Sequence, residues 1–144
     1  MTTASVDDVN AFLIEAFPAA AATGIRCEEL GTDRAVVRLP YDEAAVRPGG
    51  YISGPSMFTA ADTALWFACF TVIGLEAMAV TSELSIRFLR PARNGDLMAR
   101  ADIHSVGRRR IVGTIELWID GSPDRPVAVA QGTYVRPLSS NVSR

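Results

Sequence analysis

The run from about Ser53 to Ile73 constrains this chain more than any other part of it. It reads as one long central helix. Pro55 fits the first turn, where its missing N–H costs nothing, and Gly74 fits the end. Met57, Phe58, Ala61, Leu65, Ala68, Cys69 and Val72 cover most of the circumference. A helix apolar nearly all round has to be buried, so the rest of the chain must supply a surface that encloses it. Its one charged side chain is Asp62.

Strand-like segments supply that surface. Arg34 to Leu39 alternates, with Ala35, Val37 and Leu39 on one face, and the turn-rich stretch from Pro40 to Gly50 connects it to the helix. After the helix, Val80 to Leu89 aligns Leu84, Ile86 and Phe88. Leu97 to Ser105 follows the turn Asn94-Gly95-Asp96. Ile111 to Ile119 aligns Ile111, Ile115 and Leu117, and Val127 to Val135 closes the set. Period-two patterning with short turns predicts an antiparallel meander. An antiparallel sheet against one long apolar helix is an α+β layer arrangement. Residues 5–17 read as a further, amphipathic helix: Ser5 caps it, Pro18 stops it, and Phe12, Leu13, Ala16 and Phe17 form its stripe.

A length of 144 residues suits one domain. The reading is a single domain over 1–144, with its core at about 25–136, a helix and linker before it, and a frayed polar tail over 138–144. The formal net charge of −2 gives no reason to expect nucleic acid as a partner. The N-terminus lacks the basic start of a secretory signal. The longest unbroken apolar stretch, around Ala64 to Phe70, falls short of the roughly 20 residues that span a bilayer, so no membrane association is expected. Cys27 and Cys69 form no disulfide framework and no close metal-type pair, which points to the cytoplasm and to no metal site.

Short motifs add a family. The segment from Gly50 to Ala64, including Ser53-Gly54-Pro55 and Ala60-Ala61-Asp62-Thr63-Ala64, resembles the active-site segment of phenylacetate-pathway-type hotdog thioesterases. Leu84-Ser85-Ile86-Arg87-Phe88-Leu89-Arg90-Pro91-Ala92, Gly95-Asp96 and Gly107-Arg108 are similar to that family too. Three positions depart from its pattern. Ser53 stands where the family has a histidine, Pro55 where it has a second glycine, and Arg47 where it often has an amide. The resemblance implies a hotdog fold, in which the antiparallel sheet wraps the helix. It implies hydrolysis of acyl-CoA thioesters in a homodimer or homotetramer, with no cofactor beyond the coenzyme A of the substrate. The alternative is a non-catalytic acyl-CoA-binding domain of the same fold.

Asp62 is the first candidate for chemistry. A carboxylate on an apolar helix is costly to bury unless it has a partner, so it is either a structural group or a tuned base. The matching family carboxylate attacks the thioester or activates water. Gly54 lies at the helix start, where N–H groups lack internal partners and a developing oxyanion gains a donor; it can equally be there for a tight turn. Ser53 either orients the thioester or caps the helix. Arg90, Arg108, Arg109 and Arg110 are candidates for holding the phosphates of coenzyme A, or form solvated basic turns. Tyr51 and Trp66 line the acyl pocket or belong to the core. His104, the single histidine, sits in mid-strand with no motif around it.

Overall fold

The computed structural model describes residues 4–138, and its longest helix falls where the apolar residues put it. In chain order the elements are α1 (Val6–Ala16), α2 (Pro18–Ala21), β1 (Arg26–Gly31), β2 (Arg34–Leu39), α3 (Gly54–Ile73), β3 (Val80–Phe88), β4 (Leu97–Val106), β5 (Arg110–Ile119) and β6 (Ala128–Val135). Six strands form one antiparallel sheet in the order β1-β2-β4-β5-β6-β3. The expected frayed tail from residue 139 onward lies outside the described residues.

α3 packs into the concave face of this sheet. Ala60, Ala61, Ala64, Leu65, Phe67 and Ala68 are fully buried. The inner face is built small so that the helix can approach. Ala99 and Ala101 of β4 and Ala128 and Ala130 of β6 are buried there. Gly113 and Gly132 lie directly under Leu65: a Cβ at either would come within 2.7 Å or 2.9 Å of a Leu65 methyl carbon. By length and composition α3 is apolar enough to cross a membrane. The unbroken run from Ala64 to Phe70 hides this, because Asp62 and Thr63 interrupt the run without spoiling the average.

Three elements differ from the sequence reading. β1 is an additional strand, paired with β2 across the turn at Thr32-Asp33, where Asp33 adopts φ of 58°. A bulge between Cys27 and Glu29 shifts its phase, and its edge position leaves Cys27 as its one buried residue, so period-two alternation does not reveal it. The meander holds for β4, β5 and β6, but β3 pairs with β6 rather than β4. The link from β3 to β4 therefore crosses three strand spacings, about 14 Å. It passes beneath the start of α3, where Ile52 N–H donates to the Ala92 carbonyl (2.7 Å) and Tyr51 bridges Arg93. Finally, Pro18 does not merely stop α1 but opens α2. Val9 and Leu13 form the buried stripe of α1, while Ala16 and Phe17 stay exposed. Ser5 caps α1 as expected, in a reciprocal pair with Asp8.

One ion cluster fixes the approach to α3. The Arg38 guanidinium reaches Asp96 (2.9 Å) and Asp120 (2.8 Å), and Asp96 also accepts the backbone N–H of Tyr41 (2.8 Å). The Tyr41 N–H, and then Arg38, hold the Asp96 carboxyl below its ordinary value of 3.8 against the opposing effect of burial. The loop between β2 and α3 is thus pinned at its first residues.

Candidate active site

Asp62 lies near the middle of α3, on the face that turns from the core toward β3. It is half-buried, not enclosed as the apolar helix suggests. Its Oδ1 accepts two hydrogen bonds, from the Thr81 hydroxyl (2.6 Å) and the Tyr134 hydroxyl (2.8 Å). The strand register brings these donors together: Thr81 of β3 pairs with Tyr134 of β6. Burial, and then the adjacent Asp62 charge, push the Tyr134 phenol well above its usual range, so it remains a proton donor. Oδ2 accepts no hydrogen bond from the described residues. Asp62 lines an open cavity of about 400 Å³ with Trp66, Thr81, Tyr134, Phe17 and Ala79. One oxygen is therefore clamped and the other is available.

Trp66 forms one wall, as the sequence reading allows. Its indole N–H donates to the Glu76 carbonyl (3.2 Å), and its ring packs edge-on against Phe70. Tyr51 does not join it. It forms bridges with Arg47 and Arg93 in the loop before α3, and the Arg93 guanidinium lies 5.2 Å from the centre of its ring. Arg47 closes that tight loop through its backbone: its N–H donates to the Tyr51 carbonyl (2.7 Å) and its carbonyl accepts from Gly50 (2.9 Å).

Ser53 is the helix cap. Its hydroxyl accepts the Ser56 N–H (3.2 Å), and its carbonyl accepts the Met57 N–H (3.1 Å). Pro55 has no N–H. In the first turn of α3 this leaves Gly54 as the amide without a hydrogen bond among the described residues. Gly54 opens onto a shallow groove with Phe58, Thr59, Ile86 and Phe88. A Cβ there would sit 3.3 Å from the Phe88 ring, so the space at this turn is tight.

These groups lie apart on one helix. Gly54 and Asp62 are eight residues apart on α3, about 12 Å along the axis. The sheet separates the arginines in the same way. Arg110 pairs with Val135, which pairs with Val80, so the turn carrying Arg108 and Arg109 lies at the Asp62 end. Arg90 follows Phe88 at the Gly54 end, about 26 Å away along β3. Arg90 donates to the Pro126 carbonyl, Arg109 donates to the Arg136 carbonyl (3.0 Å), and Arg108 is exposed. A single nucleotide cannot bridge Arg90 and Arg108 of the same chain.

Other nucleophiles fall away. Burial pushes both the Cys27 and the Cys69 thiol up to about 12, so neither is a thiolate at neutral pH. His104 sits at an exposed bulge of β4, 2.7 Å from the Thr114 hydroxyl and across the sheet from the helix. Among the described residues no group of three His, Cys, Asp or Glu side chains is placed to hold a metal. Thr81 and Tyr134 are the two site residues that sequence reasoning misses. The inward positions of β6 run Ala128, Ala130, Gly132, Tyr134, and a phenol at the end of such a small-residue series needs a polar partner. That signal is present in the sequence, but the partner is fixed only by the register.

One long helix wrapped by a six-stranded antiparallel sheet is the hotdog fold, and Asp62 on that helix is a cleft-lining carboxylate with one oxygen held and the other free of hydrogen bonds from the described residues. A model of the thioesterase superfamily matches residues 49–125. A candidate esterase of Saccharolobus solfataricus is 32% identical over 112 residues, spanning 78% of this chain and 73% of that protein. The structure of a candidate thioesterase from Silicibacter sp. TM1040 superposes with a TM-score of 0.86 at 34% identity, covering 95% of this chain and 94% of the other. The E. coli PaaI protein from the phenylacetic acid degradation operon gives a TM-score of 0.78 at 27% identity, covering 92% and 93%. The chain belongs to the thioesterase superfamily.

Proposed function

We propose that the protein hydrolyses acyl-CoA thioesters to a carboxylic acid and coenzyme A, with Asp62 as the group that attacks. The observation that carries this is the asymmetry of the Asp62 carboxylate: Oδ1 is held by Thr81 and Tyr134, and Oδ2 is free beside an open cavity. In this reading Oδ2 either adds to the thioester carbon, forming an anhydride with Asp62 that water then cleaves to release the acid and free the carboxylate, or removes a proton from a water that itself adds to the thioester carbon. The C–S bond breaks, and the sulfur leaves as the thiolate and takes up a proton. The oxygen that develops charge rests on the Gly54 N–H at the positive end of α3. This reading uses water and the protein's own backbone and side chains, and calls for no cofactor. Two unpaired cysteines support a cytoplasmic setting.

The 12 Å offset on α3 means that Gly54 and Asp62 cannot serve one carbonyl within a chain, since each must approach to about 3 Å. A second copy resolves this. β3 is an edge strand with Val80 55% and Phe88 52% exposed, and an uncovered edge of this kind is a pairing surface. Two-fold antiparallel pairing of β3 with its copy would set the Asp62 end of one chain against the Gly54 end of the other. The homodimer is the smallest such assembly, and each of its sites would draw Arg108 from one chain and Arg90 from the other.

The test is steady-state hydrolysis of a panel of acyl-CoA substrates, with sedimentation of the same sample at micromolar concentration. Turnover by a dimer or larger assembly is expected. Tight acyl-CoA binding without turnover would move the protein to the binding-domain reading, which the reduced donor set around Pro55 favours. Full turnover by a monomer would remove the shared site.

A further inference from the structure

We propose that the cavity between the β2–α3 loop and the first two turns of α3 receives the acyl group and limits its length. This rests on the thioester-hydrolase reading and names the part of the substrate that it leaves open. The cavity holds about 360 Å³ and is walled mainly by apolar side chains, among them Leu39, Pro40, Val46 and Ile52. Its polar edge is formed by Thr23, Tyr41, Ser56 and Thr59, with the exposed Asp42 at its rim.

Its position fits the acyl branch of the substrate. Thr59 lines both this cavity and the groove that holds Gly54 and Phe88, so the two meet at the helix start. A carbonyl resting on the Gly54 N–H sits in that groove, about 7.5 Å along the axis from the junction at Thr59. The groove side faces β3, from which the second chain's carboxylate would arrive. The cavity lies on the other side of α3, against β2 and its loop, within the same chain. A thioester carbon there can be attacked from one side while its alkyl or aryl branch enters the other.

Its walls are also fixed before a ligand arrives. Asp96 holds the Tyr41 backbone, Arg38 holds Asp96, and Asp42 accepts the Ala44 N–H (2.9 Å). A pinned wall gives a definite depth. At about 30 Å³ per water-sized group, 360 Å³ accommodates about twelve heavy atoms. That matches a medium straight chain of about ten carbons or a single-ring aryl-acetyl group. Each methylene gained within the cavity should raise kcat/KM about fourfold, and the gain should stop where the cavity ends.

Ala45 is exposed on the loop and lines the cavity, so Ala45→Trp should fill it without disturbing the core. The experiment compares wild type, Ala45→Trp and Val46→Ala on acetyl-, hexanoyl-, decanoyl-, phenylacetyl- and palmitoyl-CoA, with melting temperatures as a check on folding. Wild type should peak at decanoyl or phenylacetyl. Ala45→Trp should lose at least about tenfold on those two and stay within about twofold on acetyl-CoA, as expected for a side chain that blocks only larger groups. Val46→Ala should move the optimum toward longer chains. An equal change across the whole panel, or none, overturns the proposal while leaving hydrolysis intact. If wild type hydrolyses none of the panel, the enzymatic reading fails separately, and calorimetric titration with decanoate still decides the cavity. Binding that Ala45→Trp abolishes supports it; binding that persists in the variant, or no binding to wild type, overturns it.

Discussion

Replacing Asp62 by Asn separates chemistry from architecture, because the two roles use different oxygens. The clamped Oδ1 accepts from Thr81 and Tyr134, and an amide oxygen in its place accepts the same two bonds. What changes is Oδ2, which becomes an NH₂ that neither attacks a carbonyl nor takes a proton. Charge-assisted bonds are about twice as strong as neutral ones, so the two retained contacts weaken by about 1 kcal/mol in total, a half-buried group being partly hydrated already. For a chain of this size that lowers Tm by about 3–5 °C. Turnover should fall by about 10²–10⁴, the usual worth of a positioned base, with KM little changed because no binding group is lost. Circular dichroism melting and steady-state kinetics on one preparation provide both numbers. The reasoning fails if turnover stays near wild type. It also fails if stability drops by about 3–5 kcal/mol, the signature of a broken buried pair, because the partners here are neutral hydroxyls on a half-exposed carboxylate.

Three further outcomes follow from the same geometry. Tyr134→Phe removes one donor to Oδ1 while Thr81 remains; it should cost about 1 kcal/mol of stability and lower kcat several-fold, and the loss in the double variant with Thr81→Val should differ from the sum of the two single losses, whereas strict additivity in both readouts would show that the two hydroxyls do not act on one oxygen. Asp96 contributes stability in full above its ordinary value of 3.8, and that contribution is lost as pH falls through the lower folded value; Asp96→Asn should therefore show a shallower loss of Tm between pH 5 and pH 3 than wild type, and parallel curves would refute the assignment. Arg108→Ala should raise KM for an acyl-CoA by about 3- to 30-fold, the worth of one charge-assisted contact near the surface, and leave an acyl-pantetheine unaffected; equal losses on both substrates would place its role in the fold instead.

The helix and five of the six strands are legible in the sequence because each carries a readable pattern. Leu65 on α3 and Ala99 and Ala101 on β4 read inward from spacing alone, and they are inward. β1 is not legible, since its bulge breaks the alternation and its edge position leaves Arg26, Glu28 and Glu29 without a burial signal. The position of β3 is hidden for another reason. The turn at Asn94-Gly95-Asp96 looks like a hairpin turn, but the residues before it have already left the strand to pass under α3. Asp62 stands out as the one charge in an apolar helix. Its partners do not, because Thr81 and Tyr134 meet only through the pairing of the first and last of the strands that follow α3. Tyr51 misleads in the opposite sense: it neighbours the helix in sequence, yet the tight loop closed by Arg47 turns it toward Arg93.

The departures from the family pattern all fall at the start of α3, and none falls near the carboxylate. Ser53 uses its hydroxyl on Ser56 and its carbonyl on Met57, so it is spent as a cap. Pro55 removes one amide, and Arg47 works through its backbone. The consequence is a division of labour. In the proposed mechanism the amide of Gly54 and the dipole of α3 carry the oxyanion without a neighbouring side-chain donor from this turn. Meanwhile the other end keeps a carboxylate whose orientation is fixed by two hydroxyls and whose reacting oxygen is open. Loss of one oxyanion donor typically costs about 10²–10³ in rate, whereas loss of the attacking group removes the reaction path itself. Under the proposed mechanism, geometry that spares the second while thinning the first predicts slow hydrolysis, not its loss. A mere binding domain has no use for Thr81 and Tyr134 held on one oxygen of an otherwise unpaired charge.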